Sequence, residues 1–97
     1  MPTYITLISY TQEGIANMKD SPDRLEKAKQ AIKAAGGEMK AFYLTMGHYD
    51  AVSISEAPDD ESYARIILTL AGGGAIRTQT LRAFTEEEYK RIVAGLP

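Results

Sequence analysis

Side chains suited to proton transfer or ligand binding gather near one end of a predicted β-sheet. His48 is the only histidine of the chain, so it is the side chain whose ordinary pKa lies closest to neutrality. A nearby aspartate or tyrosine hydroxyl could orient its ring for proton transfer. Antiparallel strand order brings the candidate ligand-binding residues to this end: Tyr10, Tyr43, His48, Tyr49, Asp50 and Arg77.

Ordinary turn chemistry offers a second interpretation of the same residues. Only the segment 47–50 separates two predicted strands, and its length and composition are typical of a hairpin. In this interpretation Tyr49 packs, Asp50 bonds to the turn backbone and His48 faces solvent. Because a turn accounts for all three side chains, the sequence assigns no catalytic residue.

No other arrangement of side chains predicts a cofactor or a metal ion. The chain contains no cysteine, which excludes a disulfide, a thiolate nucleophile and a zinc–thiolate site. The carboxylates at 59–61 and 86–88 stand at the starts of predicted helices, where they interact favourably with the helix dipole. The glycines at 72–74 lead into a strand and lack the lysine of a phosphate-binding loop. We expect no metal and no cofactor.

Length and charge restrict the class of protein and its partners. Ninety-seven residues suffice for one domain, spanning 1–97. A formal net charge of -2 provides no basic footprint for a nucleic acid. No stretch approaches the roughly 20 apolar residues that cross a membrane, and no signal-peptide pattern opens the chain. We therefore expect a cytoplasmic protein without nucleic-acid or membrane partners.

Hydrophobic patterns predict the elements that position these side chains. Strand-like composition or alternation marks four segments: 3–10, 39–46, 51–56 and 76–84. Helical patterns fill the gaps, with a short turn capped by Thr11, a helix with Ser21 as its N-cap and Pro22 at its first position, and a helix after 57–60. The order βαββαβ predicts an α+β, ferredoxin-like fold with a four-stranded antiparallel sheet. Its spatial strand order is 4-1-3-2, with both main helices on one face.

Two of the predicted helices have distinct apolar and polar sides. The helix from Ser21 places leucine, alanine and isoleucine at helical spacing on one side, whereas Arg24 and three lysines cover the other sides. A terminal helix follows Thr85, which can form a capping box with Glu88. We expect its inward stripe to contain Tyr89, Ile92 and Leu96.

The sheet has apolar residues on both faces, so its helix-free face needs cover. We expect the helices to cover Ile5, Leu7, Val52 and Ile54. The other face would then display Tyr4, Thr6, Ile8, Tyr10, Ser53 and Ser55, with either Ala41, Tyr43 and Thr45 or Phe42 and Leu44 from the second strand. A large exposed apolar patch favours self-association or a ligand between copies. The alternative is a monomer whose terminal helix folds across this face through Tyr89 and Ile92.

Several separated segments resemble the GYD domain family of bacteria and archaea. They are residues 2–5, 19–25, 42–52, 56–60 and 77–85. Gly47, Tyr49 and Asp50 match the residues for which the family is named. The resemblance implies a place in the dimeric α/β-barrel superfamily, in which two ferredoxin-like sheets meet through their uncovered faces.

Three functions remain open at this point. The first is a homo-oligomeric module that binds a small molecule in a pocket between sheet and hairpin, lined by the candidate residues above. The second is a structural or regulatory oligomerisation module without catalysis. The third is a cofactor-free enzyme similar to the monooxygenases or isomerases of the superfamily. The family resemblance supplies no catalytic residues, and analogy at the level of the fold does not choose among the three.

Overall fold

A computed structural model describes every residue of the chain, Met1–Pro97. A short 3-10 turn, Met18–Asp20, separates the first two helices. The elements follow in the order β1 (Thr3–Tyr10), α1 (Gln12–Ala16), α2 (Ser21–Ala34), β2 (Glu38–Leu44), β3 (Ala51–Glu56), α3 (Asp60–Ala71), β4 (Ile76–Ala83) and α4 (Glu86–Ala94).

The four strands form one antiparallel sheet in the order β2-β3-β1-β4. This is the predicted order read from the opposite edge, so the α+β, ferredoxin-like fold is confirmed. Both central strands, β1 and β3, carry neighbours on each side, whereas β2 and β4 are the sheet edges. The arrangement places the end of β1, the β2–β3 hairpin and the start of β4 at one end of the sheet, as the sequence predicts.

Side-chain caps start three of the helices where the sequence predicts them. The Thr11 hydroxyl accepts from the amide of Gly14 at 3.1 Å and starts α1. The Asp59 carboxylate accepts from the amide of Ser62 at 2.8 Å and starts α3. The predicted capping box of α4 is present. In contrast, Ser21 lies inside α2 and not at its cap, because the preceding 3-10 turn leads directly into the helix.

The predicted assignment of the two sheet faces is wrong. The helices cover the face of Tyr4 and Thr6, and the open face carries the aliphatic residues Ile5, Leu7, Val52 and Ile54. Direct antiparallel partners share a face, and the buried Thr6 pairs with the buried Ser53. On β2, Tyr43 pairs with Val52 and shares the open face, whereas Phe42 pairs with Ser53 and shares the helix face.

The reversal has a physical reason in α3. Tyr63 of this helix stacks on Tyr4 with ring centroids 4.3 Å apart, and its hydroxyl shares a hydrogen bond with Thr6 at 2.7 Å. Tyr4 in turn donates to the Asp60 carboxylate at 2.5 Å. The hydroxyls of Tyr4 and Thr6, which alternation alone places outside, are therefore hydrogen-bonded, whereas Oγ of the buried Ser55 has no partner. These rings join Ile32, Ala57 and Ile66 in the core.

Helix α4 does not pack inward as predicted. Tyr89 and Ile92 are 59% and 51% exposed, and Leu96 is exposed as well. The alternative in which this helix folds across the open sheet face is therefore wrong too. The apolar side of α4 and the open face of the sheet both lie uncovered in the single chain.

Candidate functional site

The open face of the sheet is an apolar band that crosses all four strands. One row runs Ala41–Ile54–Ile5–Leu81 and the next runs Tyr43–Val52–Leu7–Gln79. The central members of both rows are aliphatic, and the edge residues Tyr43 and Leu81 are 60% and 43% exposed. Contiguous exposed apolar surface of this kind is typical of interaction sites.

The hairpin between β2 and β3 folds against this open face. Gly47 has φ of 127°, a backbone conformation that favours glycine. Tyr49 donates its hydroxyl hydrogen to the Gln79 side-chain oxygen at 2.6 Å, and the His48 ring meets the Tyr49 ring edge-on at 4.9 Å between centroids. His48 itself is exposed. The tyrosine therefore bridges the hairpin to the edge strand β4.

Asp50 fastens the same hairpin to the end of β1. One oxygen of its carboxylate accepts from the backbone amide of Tyr10 at 2.9 Å. Its own amide donates to the Ile8 carbonyl at 2.9 Å, and its carbonyl accepts from the Thr45 amide at 2.8 Å. All of these contacts involve backbone, so the geometry of Asp50 fits the turn interpretation.

The structure divides the six candidate residues between two environments. Strand register places Tyr43 and Arg77 on the open face, together with the hydroxyl of Tyr49 that reaches Gln79. Tyr10 lies on the helix face, opposite Ile76. His48 and Asp50 remain in the hairpin. The six residues share one end of the sheet but do not line one pocket.

A cavity of about 230 Å³ lies between the sheet and helices α2 and α3. It occupies the helix side of the sheet, whereas the sequence predicts a pocket between sheet and hairpin. Tyr10 is the one candidate residue in its wall. The wall is chiefly apolar and includes Ile8, Leu25, Ala28, Ile32, Met39, Phe42, Ile67, Leu70 and Ile76.

Arg24 supplies the unusual polar group of this cavity. Its Nη1 donates to the Asn17 carbonyl at 3.1 Å, whereas its Nη2 is buried without a hydrogen-bond partner. The sequence pattern places Arg24 on the outer side of α2, so sequence reasoning missed it. The available signal was its position beside Leu25, at the edge of the apolar stripe of an amphipathic helix.

The acidic segments have structural partners. Asp59 caps α3, Asp60 accepts from Tyr4, and Glu61 pairs with Arg65. The amide of Ser62 stabilises the ionised form of Asp59 and lowers its pKa. No group of three or more histidine, cysteine, aspartate or glutamate side chains is arranged to hold a metal ion.

None of the helices combines the length and the apolar character that crossing a membrane requires.

The chain resembles known proteins along most of its length. The GYD domain model matches residues 4–93. A glutamine synthetase and cystathionine beta-lyase binding protein from Thermus thermophilus is 36% identical over 84 residues, which are 86% of this chain and 88% of that protein.

Solved structures with lower sequence identity share the fold. A feast or famine regulatory protein from M. tuberculosis, complexed with L-methionine, superposes with a TM-score of 0.66 at 13% identity, over 88% of this chain and 51% of that one. The dehydrochlorinase of Burkholderia phenoliruptrix, complexed with 2,5-dihydroxybenzoquinone, gives 0.62 at 13% identity, over 90% and 97% of the two chains. At these identities the likeness concerns the fold alone.

Proposed function

This chain belongs to the GYD domain family, and we propose that it works as a homodimer that binds a small molecule in each subunit. The cavity between the sheet and helices α2 and α3 is the observation that carries the binding proposal. Apolar walls with few polar groups are the usual construction of a small-molecule site. Tyr10 and Arg24 are the polar contacts proposed for the ligand.

The exposed area of the single chain supports the homodimer. A folded monomer of 10.6 kDa is expected to expose about 5,500 Å², whereas this chain exposes 6652 Å². The excess is roughly 1,200 Å² per subunit, so a dimer that buries it loses about 2,400 Å² in total, within the range of permanent dimers. The radius of gyration, 14.6 Å, likewise exceeds the roughly 12.5 Å expected at this length.

We assign the second copy to the open sheet face because that face carries the aliphatic band. Two such faces bury Ile5, Leu7 and Val52 against the same residues of the partner, as a two-fold axis requires. In this arrangement Tyr43, Tyr49 and Arg77 belong to the subunit interface and Tyr10 belongs to the cavity. Four of the six candidate residues therefore serve assembly or ligand contact, and His48 and Asp50 belong to the hairpin.

Light scattering after size-exclusion chromatography tests the dimer. The variant Leu7→Lys introduces a charge into the centre of the proposed interface and should yield a monomer at micromolar concentration. Leu68→Lys is the matched control, since Leu68 is 72% exposed on α3. It should leave the mass unchanged. A wild-type monomer, or dissociation of both variants alike, contradicts the proposed interface.

Cavity filling tests the binding proposal. Ala28→Phe places a ring in the cavity wall, whereas Ala34→Phe adds the same ring at an exposed position of the same helix. A screen of small molecules by thermal shift should find ligands that stabilise the wild type and the Ala34 variant but not the Ala28 variant. Ligands that stabilise all three proteins equally bind elsewhere, and that result contradicts the proposal.

Binding to a metabolic enzyme is a second candidate function. The Thermus thermophilus relative carries the name of a binding protein for glutamine synthetase and cystathionine beta-lyase, and its match covers most of both chains. Biolayer interferometry tests this function with purified glutamine synthetase and cystathionine beta-lyase from the organism that produces this chain. Saturable binding supports it, and an absence of binding to both enzymes contradicts it.

An enzymatic function similar to the cofactor-free monooxygenases or isomerases has less support. The cavity wall contains no histidine and no carboxylate, the side chains that most often transfer protons. His48 lies outside this wall. We therefore rank ligand binding without catalysis above turnover.

A further inference from the structure

Resting on the proposed ligand binding, we infer that the cavity takes a small organic carboxylate with an apolar, ring-sized body. Arg24 binds the carboxylate, and the aliphatic and aromatic wall binds the body. The cavity has three features that suit such a ligand: an unpaired hydrogen-bond donor, charged residues of one sign, and a volume that admits a ring.

The unpaired donor is Nη2 of Arg24. A buried guanidinium N–H without an acceptor is costly, because it has lost water and gained no hydrogen bond. The neighbouring Nη1 donates to the Asn17 carbonyl at 3.1 Å, which holds the guanidinium in place. A ligand oxygen is therefore the acceptor that completes the hydrogen bonding of the Arg24 guanidinium. Carboxylates suit this role because hydrogen bonds between charged partners are the stronger ones.

The charge of the cavity wall has one sign. Arg24 and Lys27 are its only charged residues, and no aspartate or glutamate lines it. Arg24 also takes part in no salt bridge of the chain. A cation without a counter-ion beside an apolar wall favours an anionic ligand over a neutral or cationic one. Because the whole chain carries a net charge of -2, this preference is local and does not extend to the whole surface.

The volume of the cavity suits a ring-sized apolar body. An apolar cavity of about 150 Å³ admits benzene, and the cavity here measures about 230 Å³. A ring with a short carboxylate-bearing side chain therefore fits. Phe42, Tyr10 and Leu70 provide aromatic and aliphatic surface for the ring. A single amino-acid zwitterion fits less well, since its ammonium group meets no carboxylate in the wall.

Phenylacetate and phenylacetamide are the matched probes for the inference. They differ in charge and have nearly the same shape, and the carboxylate is ionised at pH 7. Isothermal titration of the full-length wild type should give tighter binding of phenylacetate by roughly ten- to hundredfold, the range for a hydrogen bond to a charged group. Raising the salt concentration should weaken phenylacetate binding more than phenylacetamide binding.

Variants of two arginines assign the preference to Arg24. Arg24→Gln should remove most of the preference for phenylacetate and leave the affinity for phenylacetamide within about threefold. Arg65→Gln is the control, because Arg65 is exposed and pairs with Glu61 outside the cavity wall. It should keep the wild-type preference.

The outcomes separate this inference from the proposed function. Equal affinity of the wild type for both probes overturns the carboxylate class but leaves a small-molecule cavity. A preference that persists in Arg24→Gln overturns the role of Arg24. If no ligand in the screen distinguishes Ala28→Phe from Ala34→Phe, the cavity itself is not a binding site and the proposed function fails. The comparison of the two probes in the wild type needs no variant, so it decides the class even where Arg24→Gln does not fold.

Discussion

The carboxylate of Asp50 accepts a hydrogen bond from the backbone amide of Tyr10 at 2.9 Å, which joins the β2–β3 hairpin to the last residue of β1. Tyr10 stands in the wall of the cavity. The aspartate for which the family is named thus positions a cavity residue through the backbone. It connects the hairpin on one side of the sheet to the cavity on the other.

Replacement of Asp50 should measure the strength of this connection. Asp50→Ala leaves the Tyr10 amide without its partner and should lower the free energy of unfolding by about 1 to 3 kcal/mol. Asp50→Asn keeps an oxygen acceptor and should lower the free energy of unfolding by less than Asp50→Ala does. Urea denaturation at fixed protein concentration gives both values. If Asp50→Ala unfolds at the wild-type midpoint, the hydrogen bond does not contribute to stability.

Tyr4 should make the protein sensitive to alkali. Burial, followed by its hydrogen bond to Asp60, raises the pKa of Tyr4 to about 12 from 10.0. Between these values the unfolded chain releases a proton that the native chain retains, so the free energy of unfolding falls as pH rises from 10 towards 12. Below pH 10 both states hold the proton and the contribution is constant.

The variant Tyr4→Phe isolates this effect. Urea denaturation between pH 8 and 11.5 should show a steeper loss of stability for the wild type than for Tyr4→Phe. Identical slopes for the wild type and Tyr4→Phe contradict a raised pKa at Tyr4.

The N-cap of α3 should make the stability of the protein depend on pH at the acidic end of the range. The Ser62 amide lowers the pKa of Asp59 by bonding its ionised form, so the stabilisation is complete above the ordinary aspartate pKa and is lost as pH falls through the lowered one. Asp59→Ala removes the cap and should therefore lower the melting temperature at pH 7. The difference from the wild type should shrink towards pH 2.

A neighbouring carboxylate serves as the control for Asp59. Glu61 forms an exposed pair with Arg65 at 2.6 Å, four residues apart on the same helix, and such pairs contribute only about 0.3 to 0.5 kcal/mol. Thermal unfolding of Glu61→Ala should therefore resemble that of the wild type. Equal losses for the two variants at pH 7 contradict a specific capping role.

Local patterns predict most of the fold, because strands, caps and turns depend on residues that are near each other in sequence. The Thr85–Glu88 capping box and the span of β1 are examples. The face of the sheet that the helices cover cannot be predicted from local patterns. Tyr4 and Thr6 are buried because Tyr63, on α3 far along the chain, supplies a stacked ring and a hydroxyl, and no local pattern contains that partner.

The candidate site shows the same limit. Strand order alone places Tyr10, Asp50 and Arg77 at one end of the sheet, as the sequence predicts. Which face each side chain occupies depends on the register of the strands and on the helices above them. The position of Arg24 at the edge of the apolar stripe of α2 likewise does not show that its Nη2 is buried without a partner. Three-dimensional packing, and not residue type, identifies the cavity.

The uncovered side of α4 gives the last prediction. Tyr89, Ile92 and Val93 follow helical spacing on one side of α4, and with Leu96 just beyond its end they are all at least 45% exposed, although the helix has a complete capping box and forms normally. An apolar stripe on a well-capped helix is expected to pack against another surface. In the proposed homodimer this surface belongs to the second copy, because the apolar side of α4 is exposed in its own chain.

Ile92→Lys should therefore weaken the dimer without unfolding the subunit, since the side chain makes little contact within its own chain. We expect a rise of at least about tenfold in the dimer dissociation constant, the loss from exposing a buried isoleucine being about 1.5 to 3 kcal/mol. Lys90→Ala is the control, because Lys90 forms only an exposed pair with Glu86 at 3.2 Å. Sedimentation equilibrium measures both constants. If Ile92→Lys dimerises as tightly as Lys90→Ala, then α4 lies outside the interface and the sheet faces alone must hold the dimer.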